Sequence, residues 1–114
     1  MRSPYDTAKC GDDLLCPVVY SLIKGKEVIL VSGREDKFRE QTEAWLLKHK
    51  VKYVELIMRL SGDNRNDAII KQEIYENHIK DKYEIEFVLD DRNRVVDMWR
   101  NNGLKCLQVA DGNF

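Results

Sequence analysis

Five side chains have the types and the order to handle a phosphate: Ser32, Arg34, Lys71, Asp90 and Asp91. Ser32-Gly33-Arg34 comes directly after the apolar run Val28 to Val31. A hydroxyl, a glycine that lets backbone approach closely, and a guanidinium that donates in a fork together suit a phosphate oxygen. The plainer reading of the same tripeptide is a turn with a solvated arginine. Asp90-Asp91 follows a second apolar run, Ile85 to Leu89. Adjacent carboxylates there suit Mg2+, which takes one or two of them and keeps its other positions for water and phosphate. Alternatively, Asp91 caps the helix that follows. Lys71 lies four residues after Asp67, so the two share a helix face and form an i,i+4 pair worth about 0.3 kcal/mol if exposed.

These residues need elements to position them, and the apolar periodicity supplies an alternating order, α-β-α-β-α-β-α-β. Pro17 suits a first helical turn, Val18, Val19, Leu22 and Ile23 give it a buried stripe, and Gly25 ends it in a left-handed conformation. Val28 to Val31 is apolar on both faces, the pattern of a strand covered on both sides, and the strand is expected to stop at Ser32. A helix from Lys37 to His49 follows, with Phe38, Trp45 and Leu46 inward, then a strand from Tyr53 to Met58. The polar run Asp63 to Asn66 starts the next helix, whose stripe is expected to include Ile69, Ile70, Ile74 and His78. After the Ile85 to Leu89 strand, Val95, Val96 and Trp99 define a helix closed by Asn101-Asn102-Gly103, and Cys106 to Val109 makes a last strand.

Such alternation predicts a Rossmann-like α/β domain, a largely parallel sheet with helices on both faces and right-handed crossovers, spanning residues 1–114 as one domain. Ligands of such sheets sit at the carboxyl ends of the strands, where the five residues lie.

Composition narrows the function classes. No apolar run approaches the roughly 20 residues needed to span a bilayer, and the first residues, Met1 to Asp13, contain no secretory h-region, so a cytoplasmic protein is expected. Three cysteines, Cys10, Cys16 and Cys106, form no CxxC pair and read as reduced thiols. Nineteen Lys and Arg against twenty Asp and Glu give a net charge of −1, which removes any global attraction to a polyanion. Recognition of a single strand end stays open. His49 and His78 read as surface or packing residues, the lysines at 48, 50 and 52 as a solvated turn, and Trp45 and Trp99 as core.

A Ser after one strand, a Lys on a later helix and an acidic pair after the next strand, in that order, resemble the haloacid dehalogenase superfamily of phosphohydrolases. More closely, Arg2-Ser3-Pro4-Tyr5-Asp6, Val31-Ser32-Gly33-Arg34-Glu35, Asp67 through Lys71, Asp90-Asp91-Arg92, Val96-Asp97-Met98-Trp99-Arg100 and Gln108-Val109-Ala110 look like the C-terminal 3′-phosphatase domain of bacteriophage polynucleotide kinase. The resemblance implies a Mg2+-dependent hydrolase that removes 3′-phosphate from nucleic-acid ends or nucleotides in nucleic-acid repair, in the host cytoplasm if the gene is a phage's. It implies that Ser32, Gly33, Arg34 and Arg2 contact the phosphate or its surroundings. It also implies that Lys71, supported by Asp67, neutralises charge, and that Asp90 and Asp91 hold the metal.

That family carries its nucleophile in a DxDGT motif on a central strand preceding the Arg-Ser-Pro-Tyr-Asp segment, which here starts at residue 2. The first Asp of the motif forms a phosphoaspartyl intermediate and the second is the acid and base. Neither Asp12-Asp13 nor Asp111-Gly112 sits where that chemistry needs it. The resemblance therefore implies that the first central strand is missing, and that the strands ending at Ser32 and Asp90 either pair directly or accept a strand from a second copy, a homo-oligomer completing the sheet. It leaves two functions: a phosphatase inactive as this chain alone, or a non-catalytic domain that binds phosphate or a nucleic-acid end.

Overall fold

The computed structural model describes residues 22–113, so the start of the expected first helix and the residues Arg2, Cys10 and Cys16 lie outside it. Within it, Leu22 and Ile23 are helical and Gly25 takes φ +77, the left-handed turn expected to end that helix. The chain divides into two compact units, with the boundary between Asn64 and Arg65.

In the first unit β1 (Ile29–Glu35) pairs in parallel with β2 (Glu55–Arg59). Between them a single 3-10 turn (Asp36–Phe38) leads into α1 (Arg39–Lys48). Leu46, Leu56 and Met58 form the core, with Leu30, Trp45, Val51 and Tyr53 packed against it. Helix α1 ends in a Schellman motif: Val51 N–H donates to the Leu46 carbonyl at 2.9 Å and Lys50 N–H to the Leu47 carbonyl at 3.1 Å. The left-handed position is taken by Lys50, at φ 56, where glycine is the ordinary occupant.

The second unit contains α2 (Asp67–Ile74), which runs on into a π-helical turn (Tyr75–Ile79), then β3 (Val88–Asp90), α3 (Asn93–Asn101) and β4 (Cys106–Gln108). Asn66 caps α2, its side-chain oxygen accepting from Ala68 N–H at 2.8 Å. Strands β3 and β4 pair in parallel, Val88 opposite Cys106 and Asp90 opposite Gln108. Ile70, Ile74, Tyr75, Ile79, Val95, Val96, Met98, Trp99 and Cys106 are buried. Tyr75 meets Trp99 edge to face, with centroids 5.9 Å apart. A reciprocal amide pair, Gln72 with Asn102, ties α2 to α3.

Several expectations are corrected. β1 does not stop at Ser32: Ser32 pairs with Met58 and Glu35 with Arg59, so Gly33 and Arg34 bulge out and the ladder resumes. Ile69 and His78 are exposed rather than part of the α2 stripe. In the π turn the buried positions are Tyr75 and Ile79, so the stripe that runs through Ile70 and Ile74 passes to Ile79 rather than to His78. β3 begins at Val88 rather than Ile85, because its partner β4 is only three residues long. Among the described residues the strands form two two-stranded parallel sheets, β1 with β2 and β3 with β4. No helix among the described residues is long and apolar enough to cross a membrane.

Candidate functional site

The end of β3 is where charges concentrate. Asp90, its last residue, is one-tenth exposed, and its Oδ2 accepts from Lys71 Nζ at 3.2 Å and from the indole N–H of Trp99 at 3.2 Å. Its Oδ1 accepts from the backbone N–H of Asp91 at 2.8 Å. Three donors from a helix, a second helix and the following residue thus fix one carboxylate in one orientation. The i,i+4 pairing of Lys71 with Asp67 is replaced by this contact between elements, shielded from water and stronger for that reason.

Asp67 is engaged elsewhere. Its Oδ2 accepts from Arg92 Nη1 at 2.8 Å and its Oδ1 from Arg94 Nε at 2.9 Å, and its side chain is 3% exposed. Burial pushes the Asp67 carboxyl pKa up, but the Arg94 hydrogen bond and the charges of Arg92, Arg94 and Lys71 outweigh it and hold it below the ordinary value of 3.8. Asp67 is therefore ionised and, through its field, coupled to Lys71 one turn further along the same helix.

Asp91 does not cap α3. The cap position belongs to Arg92, which makes no side-chain capping bond, and Asn93 N–H instead reaches the Gly112 carbonyl at 2.9 Å. The Asp91 carbonyl accepts from Gln108 Nε2 at 2.8 Å, so the backbone after β3 is pinned from β4 and from the segment beyond it. A Cβ on Gly112 would collide with that same carbonyl, which explains a glycine there. The neighbouring Cys106 thiol is free and buried, and burial followed by the charge of Asp90 pushes its pKa up to about 11. A thiol so protonated is no nucleophile at neutral pH.

A magnesium ion is the group these carboxylates would suit. Among the described residues no group of three or more His, Cys, Asp or Glu converges as a metal site. Magnesium in its sparse mode needs only one or two carboxylates, with water and phosphate oxygens completing the octahedron.

In the first unit, the bulge shapes Ser32-Gly33-Arg34. Ser32 Oγ accepts from Arg34 N–H at 3.0 Å, leaving its own hydroxyl hydrogen to donate. The Arg34 guanidinium lies 4.3 Å from the centroid of Phe38. Ser61 closes the neighbouring loop, its hydroxyl donating to Asp36 Oδ1 at 2.6 Å. The structure thus joins Lys71 with Asp90 and Ser32 with Arg34, one pair in each unit, and Arg2 lies outside the described residues.

Sequence reasoning passed over Arg92, Arg94 and Trp99 as site-building residues. The adjacency of Arg92 to Asp90-Asp91 was the available signal, whereas the indole bond of Trp99 is invisible in a pattern that also fits a core residue.

Over residues 1–114 the chain matches the family described as the polynucleotide kinase PNKP phosphatase domain. The putative bifunctional polynucleotide kinase/RNA ligase of Autographa californica nuclear polyhedrosis virus is 35% identical over 75 residues, 65% of this chain and 11% of that protein. A chain in the structure of the Pnkp1/Rnl/Hen1 RNA repair complex is 46% identical with a TM-score of 0.84, over 99% of this chain and 38% of that one. A chain in a second Pnkp1/Rnl/Hen1 complex is 45% identical at the same TM-score, over 99% of this chain and 42% of that one. The chain spans less than half the length of each of these relatives.

Proposed function

Since the chain belongs to the family of polynucleotide kinase PNKP phosphatase domains, we propose that it is the body of a metal-dependent phosphatase that acts on 3′-phosphate ends in RNA repair. The observation that carries this reading is the Lys71–Asp90 contact at the end of β3, in a surrounding nine-tenths withdrawn from water. Lys71 presents a fixed positive charge to a phosphate, and a charge held in place stabilises a transition state without reorganisation. Asp67, held by the buried Arg92, keeps the field around Lys71 constant. Ser32, the Gly33 backbone and Arg34 supply donors to phosphate oxygens, with Arg2 as a further contact. Asp91 and Asp90 are the residues that would hold Mg2+, which when bound would neutralise charge on the phosphate.

The domain adopts the Rossmann-like arrangement of haloacid dehalogenases, with a strand bearing DxDGT at the centre of its sheet. No such motif occurs in these 114 residues, so the chain alone binds but does not turn over its substrate. The relatives' names, polynucleotide kinase/RNA ligase and RNA repair complex, support protein partners and companion kinase and ligase activities. The setting is cytoplasmic, where RNA ends are repaired.

The test compares phosphate release from a 3′-phosphorylated RNA oligonucleotide by the chain alone and by the chain joined to a strand ending in DxDGT. Release by the joined protein only, dependent on Mg2+ and lost in Asp91→Ala, is expected. Robust turnover by the chain alone would contradict the assignment of its nucleophile, and no turnover by either would favour the non-catalytic binding domain.

A further inference from the structure

The arginines of the second unit differ in what they leave available. Arg65 is closed on Glu73 by two bonds of 2.6 and 2.8 Å, Arg92 is buried against Asp67, and Arg100 gives Nε and Nη2 to the Cys106 carbonyl. Arg94 is anchored through Nε alone, at 2.9 Å from a carboxylate that is 3% exposed, while its own side chain is 48% exposed. The fork is thus fixed at its base, with about half of the side chain open to solvent. One guanidinium, Arg92, already neutralises Asp67, so Arg94 brings a second positive charge to a single carboxylate.

An ordinary surface arginine loses side-chain freedom when it grips a phosphate, and that loss weakens the contact. Arg94 is already ordered by Asp67, and the planar fork suits two phosphate oxygens at once. Asp67 opens the helix that carries Lys71 one turn later, which puts Arg94 beside the proposed site without being in it.

We propose that Arg94 binds a backbone phosphodiester of the substrate strand, so that the domain takes a 3′-phosphorylated oligonucleotide rather than a mononucleotide. This rests on the reading of Lys71 and Asp90 as the terminal-phosphate site. The terminal phosphate and the internal one are then read by different residues: Lys71 selects the end and Arg94 selects the strand. Because Arg94 touches a phosphodiester, its contact is independent of base sequence and weakens with salt.

The full chain is titrated with a 3′-phosphorylated RNA hexamer, with the same hexamer ending in a 3′-hydroxyl, and with a nucleoside 3′-monophosphate, at several salt concentrations. In Arg94→Gln the affinity for the phosphorylated hexamer is expected to fall about fivefold to tenfold, with the salt slope reduced by roughly one. Affinity for the mononucleotide stays within about twofold, and Arg94→Lys recovers part of the hexamer affinity because it keeps the charge. An equal loss for hexamer and mononucleotide would mean that Arg94 acts only by supporting Asp67, and would overturn the proposal. So would an unchanged salt slope, or no salt-dependent hexamer binding by the unmodified chain. Equal binding of the two hexamers, with the Arg94 effect intact, would instead count against the terminal-phosphate reading alone.

Discussion

At the end of β1 the polar groups are held by backbone and by water-exposed loops; at the end of β3 they are held by one another, away from water. Ser32 and Arg34 are placed by a bulge, by the bond from Arg34 N–H to Ser32 Oγ and by the Phe38 ring beneath the guanidinium, and the loop beside them is closed by the exposed Ser61–Asp36 contact. Asp90, Lys71, Asp67 and Arg92 are all nearly withdrawn from solvent and bonded to each other in pairs. The same residue types therefore serve two designs, an adaptable grip and a rigid charged platform. A platform of buried charges is fragile to the loss of any member, because each removed partner leaves an uncompensated charge. A bulge stabilised by backbone geometry tolerates side-chain change.

The largest effect should come from Asp67→Asn. It leaves Arg92 buried without its carboxylate and is expected to cost about 3–5 kcal/mol by denaturant unfolding. The same pair gives a pH signature. Because the folded pKa of Asp67 lies below 3.8, the unfolded chain binds the proton more readily. The stability from this pair is then complete above pH 3.8 and is lost as pH falls through the lowered folded value. Acid unfolding of Asp67→Asn should lack that component; an unaltered acid limb would mean that Asp67 is not the group responsible.

How far this contrast was readable in advance depends on the kind of signal. Strand ends and helix faces follow local periodicity, so the reading that puts Asp90 and Asp91 at the end of β3 and Trp99 in the core holds, whereas the bulge that carries β1 past Ser32 to Glu35 has no periodic signal. The pairing of Lys71 was misassigned because sequence spacing offers only the partner on its own helix, whereas Asp90 is brought to it by packing across nineteen positions. The inward shift from His78 to Ile79 was equally hidden, since a π turn breaks the period on which the reading relies. Arg94 carries no periodic signal at all; its role follows from which atom of Asp67 it meets.

A smaller effect is expected where the platform touches its backbone support. Gly112→Ala forces a methyl against the Asp91 carbonyl, and the strain should cost about 1–3 kcal/mol. The NMR shift of the Trp99 indole proton should move with it, because Asp90 is carried on the same backbone; a Gly112→Ala protein with wild-type stability would argue that this contact is slack. The smallest effect belongs to the first unit and has the opposite sign. Lys50→Gly relieves the left-handed strain at the end of α1 and should stabilise by up to about 1 kcal/mol, without any change in ligand affinity. A loss of stability there would show that the lysine side chain contributes more than its backbone costs.

The most direct measurement of the central claim is the affinity of the unmodified chain for an RNA oligonucleotide ending in 3′-phosphate against the same strand ending in 3′-hydroxyl, repeated with Lys71→Ala. A charge-assisted contact from Lys71 predicts at least about tenfold preference for the phosphorylated end, and its collapse in the variant. Equal affinity for the two ends in the unmodified chain would contradict the reading of the β3 end as a phosphate site.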